Sequence, residues 1–408
     1  MLAIDGGTPV RSEPLDPRRG ANRIGIEEEE AVLRVLRSRS LFRYYGPDLQ
    51  HTVDGLEAAV THRFGTHHAL AVSSGTAALR AGLAALGVGP GDEVVVPAVT
   101  FIATVNAVVV SGAVPVFCEV DASLGMDPSH LSALVTERTR AIMPVHLENV
   151  VCDMDGVLAA AGNIPVLEDA CQSMGASYHG RPAGTLGSMG AFSLQLEKNI
   201  TAGEGGVLVT DDAELHARAA RYSDQGGQFV TAHRGTRGGD DAFVGENLRM
   251  TELTGAVAGV QLSRLDGILH DLRANKAKLT SLIGPREGLT PRWVPDPDGD
   301  CGSSLVWYLP SAELSRKVTT ALVAEGIPSG RVYDGQPVYA NRSVLERRTV
   351  SPNRSPWTIS ERSYARGMCP RSEDLVSRAA AVLIGPDWTA SDLDDVATAI
   401  DKVCDALL

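Results

Sequence analysis

Between residues 68 and 210 short apolar runs recur at 70–72, 94–96, 115–117, 141–145, 165–167, 191–194 and 207–210. They lack polar alternation, and stretches of helical periodicity such as 76–86 and 153–161 separate most of them. Strands that are apolar on both faces belong in a sheet covered on both faces, and helices between them are the connections parallel strands need. The pattern predicts an α/β domain of the doubly wound kind. Upstream, residues 1 to about 45 read as an extended arm and a first helix with an acidic run at 27–37. Tyr45-Gly46-Pro47 breaks the chain, and 55–63 reads as an amphipathic helix.

Residues 225–246 are polar and glycine-rich, with Gly226, Gly227, Gly235, Gly238, Gly239 and Gly245. A loop of this length within a compact domain is usually functional or mobile. A long helical pattern runs from about 253 to 283. The remainder mixes short strands, two helices and a proline-rich stretch at 352–370, and is expected to form a smaller α+β domain. The expected division is 1–265 for the arm and large domain, and 266–408 for the small one.

The chain has 408 residues, of which 44% are hydrophobic, enough for a large core. A formal net charge of −13 argues against nucleic acid or an acidic membrane as partner. It leaves a phosphorylated ligand open, because cups of backbone N–H groups bind phosphate whatever the net charge. Cys118, Cys152, Cys171, Cys301, Cys369 and Cys404 form no C-x-x-C pair, which points to neither zinc nor disulfides but to reduced thiols in the cytoplasm. Residues 94–117 carry no charge, yet Pro97, Asn106, Gly112 and Pro115 punctuate them, so strand, helix and strand fit better than a membrane span. No signal core is seen in residues 1–14.

Four segments carry candidate chemistry. Ser73-Ser74-Gly75-Thr76 follows a strand and opens a helix, where free N–H groups and small hydroxyls make an anion cup; ordinary helix capping is the plain alternative. Val166-Leu167-Glu168-Asp169 places an acid at the C-terminal end of a buried strand, suited to a cationic ring nitrogen or simply to a helix cap. In the stretch from Gly190 to Gly206, Lys198 stands between an apolar strand and a glycine turn; a lysine held there can lose its proton and attack a carbonyl, although most single lysines are solvated surface residues. Gly245-Glu246-Asn247-Leu248-Arg249-Met250-Thr251 closes the glycine-rich loop and starts a helix.

Together "SSGTAAL", "VLEDACQSMGA", "GAFSLQLEKNITAGEGGVLVTDD" and "GENLRMTELTGAVAGVQL" resemble the DegT/DnrJ/EryC1/StrS family of sugar aminotransferases, which have the aspartate-aminotransferase fold (fold type I). The resemblance is strong over about 24–280 and looser beyond. It implies a mostly parallel seven-stranded sheet between helices and pyridoxal 5′-phosphate (PLP) as cofactor. Lys198 is then the Schiff-base lysine and Asp169 the partner of the pyridine nitrogen. Gln172 lies near the ring hydroxyl and Phe101 stacks on the ring. Gly75, Thr76 and Ser193 hold the phosphate, and Asn247 reaches the cofactor of a second subunit, so the resemblance implies a homodimer with composite sites.

The implied reaction moves an amino group from glutamate or glutamine to a keto-sugar, free or nucleotide-linked, or to a keto-cyclitol. Pathways of antibiotic or surface-sugar synthesis would use it. The alternatives are another PLP reaction on the same fold, such as elimination or carbon–carbon bond formation, and a PLP-binding regulator. A branch of the family that dehydrates sugars has histidine in place of the lysine. Three positions depart from the family pattern near its acceptor pocket: Gln195, the segment Val145-His146-Leu147-Glu148-Asn149, and Arg331-Val332-Tyr333-Asp334. Arg331 and Tyr333 are therefore expected to face the acceptor, with a surface ion pair as the plain reading of Arg331. No metal is expected.

Overall fold

The computed structural model describes residues 1–229 and 242–408. Most of the glycine-rich stretch 225–246 therefore lies outside the described residues.

The chain opens with α1 (Ile26–Ser38) and α2 (Thr52–Phe64). Then β1 (His68–Val72), α3 (Gly75–Ala85), β2 (Glu93–Pro97), α4 (Ile102–Val110) and β3 (Val114–Cys118) alternate. They are followed by α5 (Pro128–Leu134), β4 (Thr139–Ile142), α6 (Met154–Ala161) and β5 (Leu167–Asp169). A separate two-stranded ladder, β6 (Ser177–Tyr178) and β7 (Arg181–Pro182), precedes β8 (Met189–Ser193), β9 (Gly206–Thr210), α7 (Ala213–Ser223) and the long α8 (Glu252–Ile283).

Bridges Ile142↔Val166 and Val145↔Asp169 join the sheets β1-β9-β8-β5 and β3-β2-β4 into one seven-stranded sheet, ordered β3-β2-β4-β5-β8-β9-β1. Only β9 runs antiparallel to its neighbours. Successive side chains of a strand point to opposite faces. Leu70, Val72, Val94, Val96 and Leu208 thus pack with α3, α4 and α7, through Leu79, Val105 and Ala219 among others. Ala69, Ala71, Val95, Val207 and Val209 pack with α2 and α8, through Val60, Phe64, Leu262 and Leu265. Both faces are covered, which is why the strands read as unbroken apolar runs.

The C-terminal unit holds β10 (Thr290–Pro291), β11 (Ser304–Tyr308), α9 (Ala312–Ala324), β12 (Ser329–Arg331), α10 (Arg342–Leu345), α11 (Pro370–Arg378), β13 (Ala379–Leu383) and α12 (Ala390–Leu407). Its sheet, β10-β11-β13-β12, is antiparallel throughout. Leu305, Trp307, Ala380 and Val382 face one cluster, with Val318, Leu322, Val396 and Ile400 of α9 and α12; Val306, Tyr308, Ala379 and Ala381 face another. Two short helices, α10 and α11, are added to the two expected.

α8 runs unbroken through residue 265, packing on α1, α2 and α12. The arm lies on the C-terminal unit: Glu325 accepts from the N–H groups of Ala3 at 2.8 Å and Val10 at 2.9 Å, and Trp388 Nε1 donates to Asp16 O at 3.0 Å. We propose the division 1–265 and 266–408 by sequence only as a shorthand for the two sheets, since one helix crosses it and the arm sits on the other side of it.

Candidate active site

Ligands of open α/β sheets bind beyond the carboxyl ends of the strands. Here the ends of β1, β2, β4, β5 and β8, with the starts of α3 and α4, surround a cavity of about 560 Å³. Gly75, Thr76, Phe101, Asp169, Gln172, Ser193, Gln195, Lys198 and Tyr333 all line it. Asn247 and Arg331 do not. A surface groove of about 880 Å³ is larger, but its Arg140 and Arg218 are spent on the carbonyls of Leu86 and Ala85 at the end of α3, and no lysine lines it.

Asp169 ends β5, is buried, and is oriented from two sides. Thr104 Oγ1 donates to its Oδ2 at 2.8 Å, and the Cys171 N–H donates to its Oδ1 at 3.2 Å. Because the Thr104 proton goes to the carboxylate, Thr100 must donate to Thr104 at 2.7 Å. The neighbouring Glu168 points to the opposite face. It accepts from the N–H groups of Gly184, Leu186 and Gly187 and pairs with His146 Nε2 at 2.8 Å, which pins the end of the strand. Burial, and then the Asp169 charge, hold the Cys171 thiol well above the usual range, so it stays protonated beside the acid.

Lys198 is half-buried on the turn after β8, and among the described residues nothing accepts a hydrogen bond or ion pair from its ammonium. By contrast Lys276 pairs with Asp300, Lys317 with Glu313 and Lys402 with Glu325.

The start of α3 forms the opposite wall. Ser74 caps the helix by accepting from Ala77 N at 3.1 Å, while the first-turn N–H groups of Gly75 and Thr76 have no intrahelical acceptor. A Cβ at Gly75 would stand 2.8 Å from Ser193 Cβ and 2.9 Å from Cys171 Sγ, and one at Gly206 would stand 2.2 Å from Ser74 O. The backbone is packed so closely at both positions that only glycine fits, and Gly75 and Thr76 bring the start of α3 to the cavity wall. A phosphate suits it, with the partial positive charge of the helix terminus behind it.

Gln172 Oε1 accepts from Glu148 N at 3.1 Å, and its Nε2 donates to the Tyr333 hydroxyl at 2.7 Å. Glu148, Asn149 and Tyr333 all have positive φ, of 50°, 64° and 45°, a backbone state that non-glycine residues adopt at a cost and that clusters at functional sites. Phe101 caps α4 and is 56% exposed at the cavity. Ser193 Oγ accepts from Gln195 N at 3.3 Å, and Gln195 Oε1 from Glu197 N at 2.9 Å. Arg331 folds over its own turn, donating to Asp334 O and lying against Gly335. Asn247 is exposed and bridges to Asp224.

Sequence reasoning passed over Thr104 and Arg19. Thr104 follows Phe101 at i+3, the spacing that puts both on one helix face, and this signal was available. Arg19 lines the cavity from the arm and had no local signal.

A sequence model of the DegT/DnrJ/EryC1/StrS aminotransferase family matches residues 22–401. The chain belongs to the DegT/DnrJ/EryC1/StrS family. It is an aminotransferase, and the family is PLP-dependent. It is 35% identical to the L-glutamine:2-deoxy-scyllo-inosose aminotransferase of Streptomyces fradiae, over 98% of this chain and 97% of that one. It is 42% identical to the GDP-perosamine synthase of Caulobacter vibrioides over 52% of this chain and 56% of the relative. The crystal structure of 3-amino-5-hydroxybenzoic acid synthase superposes with a TM-score of 0.82 at 29% identity, covering 97% of this chain and all of the other. Fold type I, as such family members have it, agrees with the sheet order found here. Among the described residues no helix is long and apolar enough to cross a membrane, and no group of three or more His, Cys, Asp and Glu is placed to hold a metal.

Proposed function

We propose that the protein binds PLP in this cavity and transfers an amino group from glutamine or glutamate to a keto-cyclitol or keto-sugar. The observation that carries the reading is the unpaired Lys198 ammonium in one cavity with the oriented Asp169 carboxylate and the free N–H groups at the start of α3. Gly75, Thr76 and Ser193 hold the phosphate, Asp169 the ring nitrogen, Gln172 the ring hydroxyl and Phe101 the ring face. When bound, the pyridoxal ring supplies an electron sink. Lys198 Nζ takes the proton from the α-carbon of the donor and returns one to the carbon that was the acceptor's carbonyl. The donor leaves as a 2-oxo acid and the acceptor as an amine, so the reaction is balanced and ping-pong.

The relatives support a cyclitol or sugar acceptor. We further propose a homodimer in which Asn247 completes the partner's site, in keeping with its place outside its own cavity. The six unpaired cysteines support a reducing, cytoplasmic setting. The test supplies the PLP-loaded protein with glutamine and 2-deoxy-scyllo-inosose. The expected products are the aminated cyclitol and 2-oxoglutaramate. Glutamine consumed with no amine formed from any keto-cyclitol or keto-sugar would contradict the reading.

A further inference from the structure

The arm reaches the cavity at one point. After running along the C-terminal unit, it brings Gly20 against the turn that carries Lys198, where Gly20 N donates to Lys198 O at 3.4 Å. A Cβ on Gly20 would stand 2.6 Å from Gln261 Oε1, 2.7 Å from Ile200 Cα and 2.9 Å from Thr201 N. Only a residue without a side chain lets the arm lie this close. The approach sets the preceding residue, Arg19, into the cavity wall with Glu148, Glu197 and Lys198.

The donors of Arg19 are incompletely used. One Nη donates to the carbonyl of Glu197, while Nε is buried with no partner. Among the described residues no carboxylate lies within ion-pair distance of its guanidinium. Burial lowers its affinity for the proton, and attraction from the Glu148 and Glu197 carboxylates acts against this. Arginine nevertheless stays charged at any physiological pH, and its planar fork fits a carboxylate. The phosphate site proposed at the start of α3 lies by Cys171 and Ser193, whereas the neighbours of Arg19 are Glu148, Glu197 and Cys301. The anion left for Arg19 is one that enters with a substrate. The keto acceptor needs no charge, but every α-amino-acid donor brings a carboxylate.

We propose that Arg19 binds the carboxylate of the amino donor. The proposal rests on the aminotransfer reading above and names the residue that selects an α-amino acid in its first half. Arg331, the arginine expected at the pocket from sequence, is not among the lining residues; Arg19 is.

The test compares wild-type holoenzyme with Arg19→Gln and Arg19→Lys, after thermal melts and cofactor absorbance show that both variants are folded and loaded. Each half-reaction is followed separately by cofactor absorbance. Arg19→Gln should raise the half-saturating glutamine concentration roughly 10- to 100-fold, as loss of a charge-assisted pair does. Arg19→Lys should recover part of this, and the acceptor half-reaction should stay within about two-fold. Glutarate, a dicarboxylate with no amino group, gives a readout without turnover: its binding to the holoenzyme by calorimetry should weaken by a similar factor in Arg19→Gln. Equal damage to both half-reactions, or unchanged glutarate binding, would overturn the proposal. If wild-type enzyme takes no amino group from glutamine, the parent reading fails on its own. Glutarate binding then decides the role of Arg19: weakening in Arg19→Gln upholds a carboxylate site, and no change removes it.

Discussion

The side-chain amide of Gln172 donates to the hydroxyl of Tyr333 at 2.7 Å, tying the segment after Asp169 to the C-terminal unit across the cavity. Tyr333→Phe leaves that amide without its partner, at a cost of about 1–2 kcal/mol. The urea midpoint should fall accordingly, and KM for the acceptor should rise more than KM for the donor. Burial holds the Tyr333 hydroxyl far above the usual tyrosine range, so no pH dependence near neutrality should come from it. A variant with unchanged midpoint and unchanged acceptor KM would show that the contact does no more than fill space.

Asp169→Asn should lower turnover by about 10²-fold or more, the loss typical of a key electrostatic partner, while PLP stays bound through its phosphate at the start of α3. Thr104→Val removes one hydrogen bond that orients this carboxylate, worth about 1 kcal/mol, so a several-fold loss is expected. Steady-state rates with the cofactor spectrum check both. Full activity in Asp169→Asn would assign the ring nitrogen to another group.

The strands were legible because a sheet covered on both faces leaves unbroken apolar runs, and every run of residues 68–210 became a strand of the central sheet. The acid that Val166-Leu167-Glu168-Asp169 places at the C-terminal end of a buried strand stands there, since β5 pairs with β8 from Leu167 through Asp169. Of the site, the residues within local motifs were readable and those set by long-range contact were not. For Arg331 the neighbours in sequence point to the pocket, but the turn sends it elsewhere. The left-handed conformations of Tyr333 and Asp334, with φ of 45° and 54°, curl the turn so that the Asp334 carbonyl takes the guanidinium. Arg19 depends on the approach of Gly20 to Ile200, a contact that no local pattern encodes.

Glu28 joins α1 to α8. Its carboxylate accepts from Arg264 Nε at 2.8 Å, Gln261 Nε2 at 2.9 Å and Gly25 N at 2.8 Å. Burial pushes its pKa up, but these hydrogen bonds outweigh that and bring it down from the usual 4.5 to about 2. A depressed carboxylate stabilises the fold above its unfolded pKa and loses that contribution as pH falls through the folded one. Glu28→Gln should therefore cost roughly 2–3 kcal/mol at neutral pH. The difference from wild type should narrow between pH 4.5 and about 2 in urea titrations. A difference independent of pH would deny the linkage.

Asn247 supplies the test of the proposed dimer. Lys198→Ala and Asn247→Ala subunits, each inactive alone, should regain activity when mixed under conditions that allow exchange, because a hybrid holds one site with both residues native. A monomer fully active at assay concentration would end the composite-site reading.

We propose that Lys198 is the residue that holds the cofactor and moves the proton. Borohydride treatment of the PLP-loaded protein, followed by proteolysis and mass spectrometry, tests it most directly. The added mass should sit on Lys198 and be absent from Lys198→Ala, which should keep its fold and lose turnover. Label on Lys276, Lys278, Lys317 or Lys402, or no label on a protein that transaminates, would contradict it.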